Sequence, residues 1–210
     1  MTDAPTRPRR GRPPKVERSF EDTRAALLRC GMELLTEQGF TATGIDAVLK
    51  CVGVPKGSFY HYFESKEAFG QALLDAYAGY FARKLDRWLL EDDVAPLQRL
   101  ANFVEDAKAG MLRHDYCRGC LVGNLGQEVG ILPESFREQL EATLCDWQAR
   151  LARCLETAKT AGELAANADC RWLAAFFWIG WEGAVLRSRL ARDTAPLDIF
   201  FKGFMAGLPR

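Results

Sequence analysis

Apolar side chains recur every three or four residues along almost the whole chain, and this spacing constrains the fold more than any other feature. The clearest series is Phe69, Leu73, Tyr77, Phe81 and Leu85, at strict four-residue intervals. Such a series places its side chains on one face of a helix. Because the sequence contains no alternating run long enough for a strand, it predicts an all-α protein of about nine helices.

Positive charge is concentrated at the N-terminal end. Basic and acidic side chains balance at 28 each over the 210 residues, but residues 1–66 hold 11 basic and 8 acidic ones. The N-terminal end is therefore where a polyanion would dock. Residues 1–18, rich in Pro and Arg with almost no apolar content, are predicted to form a disordered arm.

The chain shows no sign of export or membrane insertion. Its start, MTDAPTRPRRGRPPK, lacks an apolar signal region, and its longest apolar run, at 172–181, is about half of what a bilayer span requires. We expect a soluble, cytoplasmic protein with no membrane partner. In that compartment the seven cysteines are expected to be thiols rather than a disulfide framework.

Three helices are predicted near the N-terminus, a first to about Glu37 and two short ones after it. Capping boxes, in which a hydroxyl residue precedes an acid by three positions, mark two helix starts at Ser19 with Asp22 and at Thr43 with Asp46. Gly53 marks the turn after the second helix, and Pro55 begins a third that runs to about Phe63. Two short helices joined by a glycine turn and packed on a preceding helix are typical of a helix-turn-helix.

The third of these helices has the composition of a DNA-reading face. Phe59 and Phe63 lie four residues apart and anchor it inward, which frees the polar side chains of the other face. Judged on residue types alone, the same cluster is also consistent with a small core with polar tips. The residues expected in the major groove are Lys56, Gly57, Ser58, Tyr60, His61 and Tyr62, and those expected on phosphates are Thr41, Thr43 and Lys66.

The run GFTATGIDAVLKCVGVPKGSFYHYFESKEAF at 39–69 resembles the TetR family of bacterial transcription regulators, most specifically in the G-S-x-Y-x-Y-F-x-x-K-E portion at 57–67. The resemblance implies a three-helix DNA-binding domain over 19–66 and a helical ligand-binding and dimerisation domain over 67–210. It also implies a homodimeric repressor that binds a pseudo-palindromic, double-stranded operator and is released by a small-molecule effector.

The arm carries a motif of its own. RRGRPPK at 9–15 resembles an AT-hook, in which Arg9, Arg10 and Arg12 would enter the minor groove of the operator. The alternative is a basic tail that only aids solubility.

The stretch HDYCRGCLVGNLGQEVG at 114–130 is the most informative part of the second half. A helix is predicted over 117–130, and its glycines form one stripe at Gly119, Gly123, Gly126 and Gly130. Each glycine costs a helix about 1 kcal/mol relative to alanine, so the stripe needs a reason. Either another helix packs closely there, or space is left for a ligand.

The cysteines of this stretch allow three interpretations. Zinc binding by His114, Cys117 and Cys120 lacks an assured fourth ligand, so we predict no metal. Cys120 could instead be a reactive thiolate, with its pKa lowered by a helix N-terminus and Arg118, or both thiols could be inert. A thiol oxidoreductase or peroxidase using Cys117 and Cys120 is the leading enzymatic alternative, but its usual βαβ setting is missing, so we predict neither an enzyme nor a cofactor.

Two further segments, RGCLVGNLGQE at 118–128 and FWIGWEGAVLR at 177–187, resemble a branch of the TetR family that responds to acrylate or to other electrophiles. The resemblance implies that Cys120 senses a small reactive or acidic molecule. Glu182, an acid in an apolar helix, needs a partner, either Arg187 or Arg189 across a dimer or a ligand pocket. The residues expected at the ligand or sensor site are Cys120, Asn124, Phe177, Trp178, Trp181 and Glu182.

Overall fold

The computed structural model describes residues 19–210, and within that range the chain forms nine α-helices and no strand. The helices are α1 (Phe20–Gln38), α2 (Ile45–Val52), α3 (Phe59–Tyr62), α4 (Lys66–Leu89), α5 (Pro96–Arg113), α6 (Leu121–Gln127), α7 (Glu134–Thr160), α8 (Cys170–Ala191) and α9 (Ala195–Ala206). The predicted all-α class is confirmed. The arm over 1–18, with Arg9, Arg10 and Arg12, lies outside the described residues.

Helices α1 to α3 form a small N-terminal unit. The Ser19 side chain caps α1 by accepting a hydrogen bond from the Asp22 amide at 3.0 Å, as the capping box predicted. The box predicted at Thr43 is wrong, because α2 is capped by Gly44 and the Thr43 hydroxyl instead donates to the Gly39 carbonyl at 2.6 Å. A 3₁₀ turn over Lys56–Ser58 leads into α3, whose Phe59 is fully buried.

The N-terminal unit also contains a disulfide between Cys30 of α1 and Cys51 of α2, with Cα atoms 6.5 Å apart. The expectation that all cysteines are thiols is therefore wrong for this pair. The packing of α2 across α1 brings together positions that lie 21 residues apart in the chain. The other five cysteines are free thiols.

The C-terminal part of the chain is a bundle built around α4, α7 and α8. The apolar series along α4 turns inward, with Phe69, Leu73 and Leu85 buried. Trp147 of α7 and Trp178 of α8 meet at 5.1 Å between ring centroids in the middle of this core. No helix between residues 19 and 210 is long and apolar enough to cross a bilayer.

Helix α6 is shorter than predicted, because the backbone before it is not helical. Asp115 and Tyr116 adopt positive φ angles, 47° and 56°, and Cys120 is the extended N-cap of α6. The four glycines therefore do not form a continuous helical stripe. Gly119 precedes α6 and lies against Arg189, whereas Gly123, inside α6, lies against the Glu182 carboxylate.

Candidate DNA-binding surface and effector cavity

The recognition segment, defined here as residues 56–62, presents polar and aromatic side chains to solvent. Tyr60 is 66% exposed, and the Lys56 side chain is 82% exposed. Phe59 and Phe63 are buried, as their four-residue spacing predicted, and they pack against Phe69 of α4. The segment is therefore anchored on one side and open on the other, so its polar groups can meet a ligand as large as a DNA duplex.

Contacts within the N-terminal unit orient several of these side chains. The Lys56 ammonium lies 2.9 Å from a carboxylate oxygen of Asp46, and this hydrogen bond raises the pKa of Lys56. The ring of Phe20 packs against Tyr62 and His61, with centroids 4.6 Å and 5.3 Å apart. These contacts reduce the conformational freedom that the side chains would lose on binding.

The three residues expected on phosphates are placed differently from one another. The Thr43 side chain is only 1% exposed, and its hydroxyl already bonds to a carbonyl, so it does not face a phosphate in this structure. The exposed Thr41 donates from both its amide and its hydroxyl to Glu128. The Lys66 ammonium lies 4.6 Å from the centroid of the Phe40 ring.

A cavity of about 360 Å³ lies between the N-terminal unit and the C-terminal bundle. Side chains of α1, α4, α5, α8 and α9 line it, together with the loop that precedes α6. Its lining includes the basic residues Arg29, Lys84, Arg113, His114 and Arg118 and the acidic Glu33. Lys84 is already paired with Asp106, and Arg118 with Glu33 and Glu37. The basic groups outside these ion pairs, Arg29, Arg113 and His114, favour a small anion or a polar, electron-poor molecule.

Cys120 lies on the wall of this cavity, and its environment opposes ionisation. Burial raises the pKa of the Cys120 thiol well above its usual range, and the charge of Glu182 raises it further. Arg118, expected to lower that pKa, instead forms ion pairs with Glu33 and Glu37 of α1. The expectation of a thiolate activated by Arg118 is therefore wrong.

Glu182 of α8 lies behind Cys120. A Cβ placed on Gly123 would collide with Oε2 of Glu182 and lie 3.6 Å from Cβ of Cys120, so the two side chains meet across this glycine. Burial raises the pKa of Glu182 to about 7, while its hydrogen bond with Cys120 opposes the rise. Its Oε1 atom is buried and has no hydrogen-bond partner among residues 19–210.

Within residues 19–210, neither Arg187 nor Arg189 of the same protomer forms an ion pair with Glu182. Arg189 donates to the side chain of Asn124 at 2.9 Å and to the carbonyls of Glu37 and Cys117, each at 3.1 Å. This arginine therefore joins α8 to α1 and to the loop before α6. Glu182 remains a buried acid beside a thiol.

Helix α6 is tied directly to the N-terminal unit at its far end. Glu128, the C-cap of α6, accepts hydrogen bonds from the amides of Phe40 and Thr41 at 2.9 and 2.8 Å. One turn earlier, the side-chain amide of Asn124 donates to the carbonyl of Thr36 at 2.8 Å. The helix that Cys120 caps thus holds both the end of α1 and the loop that leads to α2.

Comparison with known proteins identifies the family. Residues 27–73 match the family model described as bacterial regulatory proteins, tetR family, and residues 96–204 match the tetracyclin repressor-like C-terminal domain. The chain belongs to the TetR family. Its members are transcriptional regulators and not enzymes, so the thiol oxidoreductase alternative is set aside.

Relatives extend this match over most of the chain. The transcriptional regulator AcuR of Cereibacter sphaeroides is 50% identical over 95% of this chain and 91% of its own length. The repressor NemR of Escherichia coli K12 is 32% identical over 84% of this chain and 89% of its own. A solved TetR regulator from Rhodobacter sphaeroides, 49% identical, superposes with a TM-score of 0.86 over 89% of this chain and 98% of its own.

The structure divides the residues expected at the TetR-family effector site into three groups. Cys120 and Trp181 line the cavity. Glu182 and Asn124 lie behind the wall, in contact with Cys120 and Arg189 respectively. Phe177 and Trp178 are core residues, because their side of α8 packs on α7, α9 and Phe81 rather than on the cavity.

Other side chains at the site had no distinguishing signal in the sequence. Tyr77 belongs to the apolar series of α4, yet it lines the cavity and contacts Cys120. Glu128 lies inside the helix predicted over 117–130, and the sequence gave no sign of its contact with Thr41. Within residues 19–210 no group of three or more potential ligands is arranged to hold a metal ion, and the Cys117 thiol points to the carbonyl of Asp115.

Proposed function

We propose that the protein is a homodimeric transcriptional repressor, divided into a DNA-binding domain over 19–66 and a ligand-binding and dimerisation domain over 67–210. The open face of the recognition segment supports the groove assignment, with Lys56, Ser58, Tyr60 and His61 as hydrogen-bond donors. Gly57 allows the backbone to approach closely, and Tyr62 supports the segment from the side. Two copies would read successive major grooves of a pseudo-palindromic operator, about 34 Å apart.

The proposed dimer would form through α8 and α9. Large apolar side chains of α8 are exposed at intervals of three, four and seven residues, including Trp172 at 60%, Ile179 at 75% and Leu190 at 73%. Ile199 of α9 adds a further exposed side chain, at 73%. An apolar stripe of this extent on a globular protein favours burial against a partner, and a second copy offers a matching stripe.

A substitution in the stripe tests the dimer. Ile179→Asp should place a charge in the proposed interface and shift sedimentation of the protein from dimer to monomer at micromolar concentration. Leu90→Asp, which introduces the same charge in place of an exposed apolar side chain at the end of α4, outside α8 and α9, serves as the comparison. An Ile179→Asp protein that sediments like the unaltered one would exclude this face.

We further propose that the effector is a small acid or electrophile, such as acrylate or a related unsaturated molecule, that occupies the cavity and meets Cys120. The observation that carries the proposal is the position of the cavity, which shares its walls between α1 of the DNA-binding domain and the helices of the C-terminal bundle. Its basic lining favours a carboxylate, and its Cys120 offers a nucleophile.

The signal would pass to the recognition segments of the two protomers through α6 and α4. Any movement of Cys120 shifts the start of α6, whose other end holds the loop at Phe40 and Thr41 through Glu128. A tilt of α4, which carries Tyr77 on the cavity wall, would move the recognition segment at the same time. Release follows if the occupied state prefers a spacing that does not fit the operator.

An operator-release assay tests the effector proposal. Carboxylates, aldehydes, quinones and oxidants are added to the protein on a labelled operator, with and without reductant, and DNA release is followed by fluorescence anisotropy. Electrophiles should release the unaltered protein, whereas Cys120→Ser should bind DNA normally and respond weakly. Equal responses of the two proteins would exclude Cys120 as the sensor, and a failure of the unaltered protein to bind any operator would exclude the repressor itself.

A further inference from the structure

We propose that Glu182 acts as the general base for Cys120, taking the thiol proton as the sulfur adds to an electrophile in the cavity. This inference rests on the proposed electrophile response and specifies its chemistry. It assigns a reaction partner to an acid that has no ion-pair partner in the part of the protomer that the structure describes.

The geometry brings the acid, the thiol and the cavity together in that order. Cys120 lies on the cavity wall, and Glu182 approaches it from the protein side across Gly123. Because position 123 carries no side chain, the carboxylate can reach the thiol. Glu182 Oε1 is buried and has no hydrogen-bond partner within the described range, so it retains an acceptor for a proton.

The charge balance of the pair explains why a base is needed at this position. A thiolate formed by loss of the proton to solvent would place a second negative charge beside the Glu182 carboxylate in a buried site. If the proton moves instead from sulfur to carboxylate, the pair holds one negative charge before and after the transfer. The desolvation that suppresses an isolated thiolate therefore opposes this transfer far less.

The proposed step is a conjugate addition, and it needs no oxidant or reductant. The sulfur forms a bond to the β-carbon of an unsaturated carbonyl compound while its proton passes to Glu182. The electron pair of the carbon–carbon double bond moves to the α-carbon, which then takes a proton from Glu182. The product is a thioether on Cys120, and the carboxylate is regenerated.

The groups around the pair limit the other sources of a base. Tyr77 approaches from α4, and burial raises the pKa of this phenol well above its usual range, so it remains protonated at neutral pH. Arg189 lies on α8 and contacts Gly119, while His114, Arg118, Arg29, Arg113, Lys84 and Glu33 belong to the cavity lining. Glu182 is the carboxylate of this set that contacts the thiol.

The test is the rate of Cys120 alkylation by acrylamide, a neutral unsaturated amide, measured from pH 5.5 to 9 by peptide mass spectrometry on the full chain. In the unaltered protein the rate should rise through about pH 7, where Glu182 loses its proton, and then level off. Glu182→Gln should react roughly 100-fold more slowly at pH 7.5. Its rate should continue to rise toward the pKa of the thiol itself.

Whether Glu182→Gln slows or accelerates alkylation shows whether Glu182 acts as a base or only as a neighbouring charge. If Glu182 only repelled a thiolate, Glu182→Gln would lower the pKa of the thiol and accelerate alkylation, and this outcome would overturn the inference. Equal rates in the two proteins would overturn it as well. If neither folded protein formed a Cys120 adduct, both this inference and the proposed electrophile response would be overturned. If effectors then released the operator without Cys120, only the proposal of a repressor would stand.

Two further variants make the comparison specific. Gly123→Ala keeps the acid but places a methyl group where the carboxylate lies, so it should also slow alkylation of Cys120. Glu141→Gln removes the carboxylate beside Cys145, an exposed thiol whose sulfur lies 3.6 Å from Glu141 Oε1. It should leave Cys120 unaffected, and the reaction of Cys145 provides an internal reference in the unaltered, Glu182→Gln and Gly123→Ala proteins.

Discussion

The recognition segment and the Cys120–Glu182 pair use polar side chains in opposite environments. In the segment, Lys56 and Tyr60 are exposed and anchored by the buried Phe59 beneath them. In the pair, burial moves the pKa of both the thiol and the carboxyl group upward. A surface that binds DNA needs accessible groups in their ordinary ionisation states, whereas a buried pair gains its chemistry from being kept away from water.

A substitution in each region should therefore have a distinct signature. Changes in the recognition segment should alter affinity for DNA with little effect on folding. Changes at the pair should alter pH dependence and thiol chemistry with little effect on DNA affinity in the absence of an effector.

The largest effect is expected from Tyr60→Ala. The side chain is exposed, so its loss should leave the melting temperature nearly unchanged. Two lost groove contacts of about 2 kcal/mol each in a dimer correspond to roughly a 1000-fold weaker operator Kd. Anisotropy titration measures the affinity, and Leu90→Ala, which removes a similarly exposed side chain far from α3, is the control. Unchanged affinity of Tyr60→Ala would place the DNA contact elsewhere.

Glu182→Gln should change how stability depends on pH. Folding raises the pKa of this carboxyl from 4.5 to about 7, so the folded protein keeps a proton that the unfolded chain loses in that interval. This contribution to the free energy of unfolding is present at low pH and is lost as pH rises through 7. Relative to the unaltered protein, Glu182→Gln should therefore gain about 2.5 kcal/mol between pH 5 and pH 8.

Urea unfolding at equal protein concentration, followed by tryptophan fluorescence, measures this difference. Glu141→Gln, at an exposed position, should run parallel to the unaltered protein across the same range. If the free energies of unfolding of Glu182→Gln and the unaltered protein differed by the same amount at every pH, the Glu182 carboxyl group of the unaltered protein would titrate normally. The contrast with the surface groups would then disappear.

A smaller effect is expected from Glu128→Ala, which breaks the contact between α6 and the loop before α2. Loss of hydrogen bonds to the Phe40 and Thr41 amides should reduce the free energy of unfolding by about 2 kcal/mol. It should also weaken the coupling between effector and DNA, measured as the ratio of operator Kd values with and without electrophile. Gln127→Ala is the matched control, because this exposed neighbour makes only a 3.4 Å hydrogen bond within α6.

The smallest effect is expected from Arg118→Gln. Because Arg118 pairs with Glu33 and Glu37 at the edge of the cavity, its loss should cost about 0.5 kcal/mol. Alkylation of Cys120 by acrylamide should change less than about twofold, since the thiol is controlled by burial and Glu182. A slowing as large as that expected for Glu182→Gln would restore the arginine as the activating group.

Much of the fold could be predicted from local patterns. The four-residue series of α4, the cap at Ser19 and the buried pair of Phe59 and Phe63 follow from helical geometry that each segment carries by itself. The boundaries of α6 could not be predicted, because a run with several glycines gives no local sign that Asp115 and Tyr116 will turn the chain.

The site was predicted less completely, and α8 shows why. The sequence does not distinguish among its aromatic residues, but their positions around the helix axis do. Phe177 and Trp178 face the core, whereas Trp181 lines the cavity and Trp172 is exposed. The Cys30–Cys51 disulfide and the contact of Glu128 with Thr41 likewise join residues whose proximity depends on how helices cross.

The sequence by itself determined that the chain is helical, that it carries a TetR-type DNA-reading segment and that Cys120 and Glu182 are unusual residues for their surroundings. These properties arise from spacing and residue type, which are local. Only the tertiary structure decided that the acid lies against the thiol, that Arg118 turns away to α1 and that α6 holds the loop before α2. Desolvation and pairing depend on every neighbour in space, and those neighbours come from segments far apart in the chain.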